Sequence, residues 1–407
     1  MAMTTPKVEV GFDLTDQPAA PFFRLDDNVQ GRLDNTEYRL GGVLFYDVTD
    51  RVRSIDMGRG RAQTFTTFPA GQLDIELNNH DRAFDPLYSA SPFAGAIVPQ
   101  VEVRVSVNDE RTFTGLAEDW DLSYTNDGDS TAAIKGVESI SNLNRRVLPQ
   151  FTPSEETADS RINTILDRDE VQWPSSLRDI ESSAELMGAY QVESETSVLE
   201  YLQNISLSEP GSFFMSKDGK LVFRNRQTAP TSADLVTFGT GGIAFDNLRV
   251  IYGSELLFNQ VIINRYTGGT VTATDQVSVN SYGLNDLTIE DSQAATDAQL
   301  VPVAVGLASL FSEPEYRVDA FDVQLHKASL SDQNTVLGLE IGDVVLMEFT
   351  PNNIGDSIAQ YGQIIRIDHT LTPNFHTVTF GLEELRYQPI VLDDAVFGKL
   401  DVGTLSW

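Results

Sequence analysis

Between residues 41 and 138, apolar and polar residues alternate in short runs cut by turn residues. An α-helix cannot satisfy that period-two pattern, whereas an antiparallel sheet can. Strands are predicted at 62–68, 71–78, 101–107, 111–119 and 131–138, with Asn126-Asp-Gly-Asp129 supplying the positive-φ residues of a hairpin turn between the last two. The period then changes. Ser197-x-x-Glu200 reads as a capping box ahead of Val198, Leu199, Leu202 and Ile205 at helical spacing, and Pro210-Gly211 stops the run. An amphipathic piece with Ile162, Ile165 and Leu166 precedes it, and Asp218-Gly219 between apolar runs signals a hairpin. Strands resume at 259–265, 316–325, 343–349, 358–371 and 376–383. A helix at about 300–311 interrupts them, with Pro302 acceptable only in its first turn.

Two internal similarities organise these pieces. Leu25-Asp-Asp-Asn-Val-Gln-Gly-Arg-Leu-Asp34 returns as Leu392-Asp-Asp-Ala-Val-Phe-Gly-Lys-Leu-Asp401. A short segment needed at both ends suits docking better than catalysis. Leu25, Val29 and Leu33, with Leu392, Val396 and Leu400, are the candidate anchors. Asp26, Asp27, Asp34, Asp393, Asp394 and Asp401 are candidate turn caps, and Gly31 and Gly398 permit the bend. Separately, Gly115-x5-Asp121, a turn and a strand ending Gly136-Val-Glu138 match Gly362-x5-Asp368, a turn and a strand ending Gly381-Leu-Glu383. The predicted fold is mainly β, with two tube-type β-barrel or sandwich domains bracketing a small α+β module. The predicted boundaries are a docking arm at 1–40, β-domain 1 at 41–148, the α+β module at 149–235, β-domain 2 with one helix at 236–386, and a docking tail at 387–407.

Composition narrows the function classes. A chain of 407 residues suggests two to four domains, and 41% hydrophobic residues can fill their cores. With no cysteine, disulfides, thiolate metal sites and cysteine nucleophiles are excluded. The N-terminus lacks an apolar signal region and no run reaches the length of a membrane helix, so no export or membrane insertion is expected. A net charge of −32 repels bare nucleic acid. The acidic excess is concentrated at 152–209, which holds 13 acidic and three basic residues, as expected of solvated helix faces.

Catalytic patterns are weak. The four histidines, His80, His326, His369 and His376, form no metal-ligand spacing on a helix and are expected on exposed or half-buried strand positions. No nucleophile elbow, P-loop or dinucleotide fingerprint occurs. The Asx-rich stretches 78–85 and 126–129 suit turns better than calcium loops, since neither meets the EF-hand pattern. Neither an enzymatic activity nor a cofactor is expected. Arg51, Arg53, Arg59 and Arg61 form a concentrated basic run, to be explained by cross-strand pairing with carboxylates or by an acidic surface on a neighbouring subunit.

The segments 47–61, 71–86 and 91–99 carry a strand ending Leu-x-Asn-x-Asp-Arg-x-Phe-Asp-Pro, a Ser-Pro-Phe-x-Gly turn and a following Phe-x-Gly strand. They resemble minor tail proteins of long-tailed bacteriophages, the baseplate or tail hub family. The resemblance continues through Leu221-Val-Phe-Arg224, Tyr252-Gly-Ser254, Asn259-Gln-Val261, Ser281-Tyr-Gly283 and Leu339-Glu-Ile-Gly-Asp-Val-Val345, covering most of 41–385. It implies a structural virion protein at the tail tip, made in the host cytoplasm. It also implies a homotrimer whose six tube domains continue the tail tube's six-fold ring, with a distal tail or tube protein on one side and tip or fibre proteins on the other. DNA would pass its acidic channel without specific binding, and each decapeptide would clasp one tube domain. The alternatives are a tail-associated cell-wall or polysaccharide hydrolase and a receptor-binding tail protein.

Overall fold

The computed structural model of the chain describes residues 3–14, 27–32, 43–63, 65–126, 128–225, 235–385 and 394. Its first unit is built from β1 (Pro6–Phe12), β2 (Leu44–Asp47), β3 (Val52–Gly60), β4 (Gln72–Asn78), β5 (Glu102–Val107), β6 (Glu110–Tyr124) and β7 (Ser130–Val137). These pair antiparallel in the order β3-β4-β7-β6-β5-β1-β2. Alternation sends Leu73, Ile75 and Leu77 of β4 inward. Phe12 stacks on Phe93 at 4.4 Å between ring centroids, and Phe84 stacks on both Phe93 and Trp120.

Two expectations need correction here. No strand spans 62–68. The strand lies just before it, as β3, where Arg53, Asp56 and Arg59 mask the alternation of Ile55 and Met57. Nor is 1–40 all docking arm: β1 sits between β5 and β2 with Val8, Val10 and Phe12 fully buried. Each such side chain contributes about 1.5–3 kcal/mol on burial, so β1 belongs to the first β-unit's sheet and core.

The second unit contains α1 (Ala158–Leu166), β8 (Arg178–Ile180), α2 (Val198–Ser208), β9 (Ser212–Met215) and β10 (Leu221–Arg224). Ser197 caps α2 by accepting the Glu200 N–H, and the hairpin between β9 and β10 turns at Gly219, whose φ is +80°. Ile162, Ile165, Leu202 and Ile205 pack on Phe213 and Phe223.

The third stretch holds two units where one β-domain with one helix was predicted. It opens with β11 (Val236–Gly239) and β12 (Asp246–Gly253). An excursion follows: β13 (Gln260–Arg265), β14 (Thr270–Thr274), α3 (Gln276–Tyr282), β15 (Asp286–Ser292) and α4 (Asp297–Leu310). β13–β15 form a separate three-stranded sheet whose core of Val261, Ile263, Leu300, Val303 and Leu307 is its own. A capping box of Thr296 and Gln299 starts α4 earlier than predicted, so Pro302 is not in the first turn. Pro302 and Ala298, whose carbonyl loses its donor, are both exposed, so that carbonyl is open to solvent.

The chain then returns with β16 (Glu315–Gln324), α5 (Leu330–Gly338), β17 (Val344–Phe349), β18 (Ile358–Thr372) and β19 (Phe375–Glu384). The fifteen-residue β18 joins the two β-units. One of its edges pairs along its length with β19. The other pairs first with β17 and then, from Arg366↔Gly60 to Leu371↔Ile55, with β3. The result is one 13-stranded sheet, ordered β12-β16-β19-β18-β3-β4-β7-β6-β5-β1-β2, with β11 and β17 branching at β18.

Strand by strand, β12, β16, β19, β18 and β17 repeat the pairing order of β3, β4, β7, β6 and β5. The two long hairpins share a bulge three residues after a glycine, at Glu118 after Gly115 and at Ile365 after Gly362. The repetition is imperfect: β11 runs parallel to β17, whereas β1 runs antiparallel to β5.

Candidate functional site

The arginines in and beside β3 mark the place where the units of the chain are locked together. Arg51 and Arg53, at its start, are surface residues. Arg51 grips Asp81 through two bonds of 2.7 and 2.8 Å, and Arg53 grips Asp129 at 2.6 and 3.2 Å, tying β3 to the loops after β4 and β6. Asp85, in the same Asx-rich stretch as Asp81, is held by Arg82 and by the Tyr124 hydroxyl, and Asn79 caps the Phe84 N–H. Turn formation and arginine pairing therefore account for these acidic residues, and among the described residues no group of three or more His, Asp or Glu is placed to hold a metal.

Arg59 and Arg61, at the other end of β3, are buried. Arg59 Nε donates to Glu138 Oε1 at 2.9 Å, and its Nη2 donates to Glu340 Oε1 at 2.7 Å and to the Met215 carbonyl at 2.8 Å. One guanidinium thus holds the end of β7, the end of β9 and the loop entering β17. Each carboxylate is further fixed by backbone: Gly71 N–H donates to Glu138, and the N–H groups of Lys217 and Ile341 donate to Glu340. Lys217 Nζ caps the carbonyls of Leu337 and Gly338 at the end of α5, and its own carbonyl accepts from Thr114 of β6. The Asp218-Gly219 turn is therefore wedged between both β-units.

Burial pushes the Glu138 carboxyl above its ordinary range, against the pull of Arg59 and the Gly71 N–H. Burial also works against the Arg59 charge, but Glu340 and Glu138 outweigh it and hold the guanidinium protonated. Arg61 repeats the motif toward the second β-unit: Nη2 donates to Glu383 Oε2 at 2.8 Å, and its backbone N–H to Ile365. The two Gly-x-Glu strand ends, Glu138 and Glu383, thus receive adjacent arginines of one strand.

A second buried group sits at the tip of the β18–β19 hairpin. His369 Nδ1 and His376 Nε2 lie 3.1 Å apart, His376 Nδ1 faces Thr4 Oγ1 at 3.1 Å, and the His376 N–H points to His326 Nδ1. The expectation of exposed or half-buried histidines fails for His369 and His376. Burial, then the neighbouring His326, holds His376 down to about 3, and burial with His376 holds His369 well below the usual imidazole range. Both are neutral packing groups.

No protein-family model matches the chain, and no curated protein matches its sequence. Solved structures do match in fold. The tail protein of Neisseria meningitidis superposes with a TM-score of 0.60 at 12% identity, over 94% of this chain and 98% of that one. The 43 kDa tail protein of prophage MuSo2 from Shewanella oneidensis gives 0.56 at 13% identity, over 94% and 99%. This chain has the fold of phage tail proteins. An E. coli type VI secretion component, itself described as similar to the T4 bacteriophage tail proteins gp27 and gp5, gives 0.51 at 12% identity, over 83% and 75%.

Within this tail-protein fold, the four arginines, read from the sequence as pairing with carboxylates or meeting an acidic surface on a neighbouring subunit, have carboxylate partners inside the chain. The sequence reading gave no role to Lys217 or to Glu340, the latter quoted only within the segment 339–345; Glu138 and Glu383 were visible only as ends of the repeated Gly-x-Glu. Of the first decapeptide, Asp27, Val29 and Gly31 are described. Asp27 accepts the N–H groups of Val29 and Gln30 at 2.8 and 2.7 Å, Gly31 N–H closes on the Asp27 carbonyl, and Val29 is exposed. Leu25, Asp26, Leu33 and Asp34 lie outside the described residues, as do Leu392, Asp393, Val396, Gly398, Leu400 and Asp401. Asp394 is half-buried. No helix among the described residues is long and apolar enough to cross a membrane.

Proposed function

We propose that this chain is a non-enzymatic structural component of a phage tail, a homotrimeric hub at the tail tip. In this reading it links a distal tail or tube protein to tip or fibre proteins and surrounds the path of the DNA. The observation that carries the reading is the continuity of the sheet through β18 and β3. A chain that presents two like-ordered β-units side by side supplies two neighbouring positions of a ring, and three chains supply six. The buried Arg59 junction ties the two β-units together. A net charge of −32 per chain suits a channel that DNA must cross without sticking, because like charge repels within about 8 Å at physiological salt. The two decapeptides serve as docking clasps, one for each β-unit.

Light scattering of the purified protein, with particle symmetry from electron microscopy, tests this. Three chains around one axis, with six similar β-units facing a central opening, are expected; a persistent monomer, or a ring of another number, would sink the hub. A zymogram on host cell-wall material should stay uncleared, and a lytic zone would restore the hydrolase alternative.

A further inference from the structure

The unit inserted between β12 and β16 has a surface that is both acidic and apolar. From Tyr266 to Tyr316 the sequence holds seven carboxylates and no lysine or arginine. The same stretch, an eighth of the chain, supplies seven of the twenty large hydrophobic side chains that are exposed among the described residues. Exposed apolar groups gathered in this way mark a contact surface rather than ordinary scatter.

Helix α4 concentrates the feature. Its inner side, with Leu300, Val303, Ala304 and Leu307, covers β13 and β14. A surface helix normally turns charged or polar side chains to the solvent. α4 does not. After Asp297 no charged residue occurs until Glu313, and the outward positions are Ala298, Val301, Pro302, Val305 and Ser309. Val301 and Val305 are 47% and 54% exposed. Spacings of three and four set these positions on one stripe along the 14-residue helix, which is about 21 Å long.

The stripe also carries polar features of one kind, all of them acceptors. Pro302 leaves the Ala298 carbonyl without its helical donor on the exposed side. Exposed carboxylates stand at both ends: Asp297, which Arg265 reaches through Oδ1, and Glu313.

We propose that the outer face of α4 is a docking surface for a basic amphipathic helix of another protein. The apolar residues of that helix lie along Val301 and Val305. A lysine or arginine toward one end meets Asp297 and donates to the Ala298 carbonyl, and one toward the other end meets Glu313. Charge selects this occupant. A second copy meeting the same face would set seven carboxylates against seven, and anionic lipid and nucleic acid are repelled likewise. The proposal requires neither a trimer nor a channel, so it goes beyond the hub reading without resting on it.

The test uses the full chain and a fluorescein-labelled helical peptide of about 18 residues, with leucines at spacings of three and four flanked by lysines. A twin peptide carries glutamate for every lysine. Fluorescence anisotropy should show saturable binding of the lysine peptide with a Kd below about 100 μM, weakening as salt is raised, and no binding of the twin. Val305→Lys, at an exposed position, should leave circular dichroism and the unfolding midpoint at the parent's values and raise the Kd about tenfold or more. Thr272→Lys makes the same change of net charge on the far face of β14 and should alter the Kd by less than about twofold. A benzophenone at the centre of the peptide should cross-link to residues 297–310.

No saturable binding up to about 1 mM, equal binding of the twin, equal loss from both lysine variants, or cross-links confined to other elements would overturn the proposal. So would binding to phosphatidylglycerol vesicles, or self-association of the parent, that Val305→Lys alone abolishes, since the face would then belong to a lipid surface or to a second copy. A persistent monomer that binds the lysine peptide through α4 would refute the trimer and keep the docking face. A trimer that binds it no better than its Val305→Lys variant would do the reverse.

Discussion

Replacing Arg59 with methionine removes three hydrogen bonds at once and leaves Glu138 buried without its counter-charge. Breaking a buried pair by removing one partner typically costs about 3–5 kcal/mol, most of it the desolvation of the charge left behind. At about 2.1 cal/mol/K per residue, cooperative unfolding of a 407-residue chain carries an entropy near 0.85 kcal/mol/K, so the midpoint should fall by about 4–6 °C. The loss should depend on the stranded carboxylate. In a Glu138→Gln background, where the Gly71 N–H keeps an acceptor but no charge is buried, Arg59→Met should cost about 2 kcal/mol less. The penalty should also shrink at acid pH. Burial already raises the Glu138 pKa, and losing Arg59 raises it further, so the folded state takes up the proton first as pH falls. Urea titrations of the four proteins of the cycle, at pH 7 and pH 4.5, measure all three quantities. A cost below about 1 kcal/mol, or one independent of Glu138 and of pH, would show that Arg59 is not the lock described.

Three further outcomes are expected. With His376 held at about 3 in the folded chain and near 6.5 when unfolded, the unfolded state binds the extra proton between those values. His376 then contributes a loss of stability of about 1.4 kcal/mol per unit as pH falls through that window, and His376→Leu should make the loss between pH 6.5 and 5 shallower by about that amount, the part due to buried His369 remaining; parallel curves would contradict this. Gly60→Ala, at a position where φ is +114° and a Cβ would collide with the Ile365 carbonyl oxygen, should destabilise by more than about 2 kcal/mol, measured by urea titration, whereas a neutral result would remove the close-approach argument. Deleting residues 391–407 removes the second decapeptide and should weaken ring assembly or attachment of the next tail component, seen by light scattering; unchanged assembly would remove its docking role.

Strands whose buried face is carried by plain alternation were legible. β4, β5 and β7 fall within a residue or two of prediction, as do β17, β18 and β19. β3 was not, because the same strand that buries Ile55 and Met57 also carries the arginines and glycines of the junction. β13 was found as a strand but given to the wrong sheet, since period two says that one face is buried and not against what. The site was legible only in outline. The basic run was conspicuous, yet the carboxylates that take Arg59 lie 79 and 281 residues away, beyond any local pattern. The histidines misled because an imidazole gives no sequence sign of lying inside a hairpin tip.

The long separation within the β18–β3 seam also sets a timetable. Gly60 and Arg366 pair although 306 positions separate them. At about 5–20 residues per second, a ribosome needs roughly 15–60 s to deliver the second after the first. Throughout that interval β3 can pair with β4 but keeps its other side bare. Arg53, Asp56 and Arg59 on that strand then act as guards, since charged side chains on a waiting edge discourage pairing with a neighbouring nascent chain. A chain cut short before β18 therefore has every strand of the first β-unit but no means of setting a second beside it.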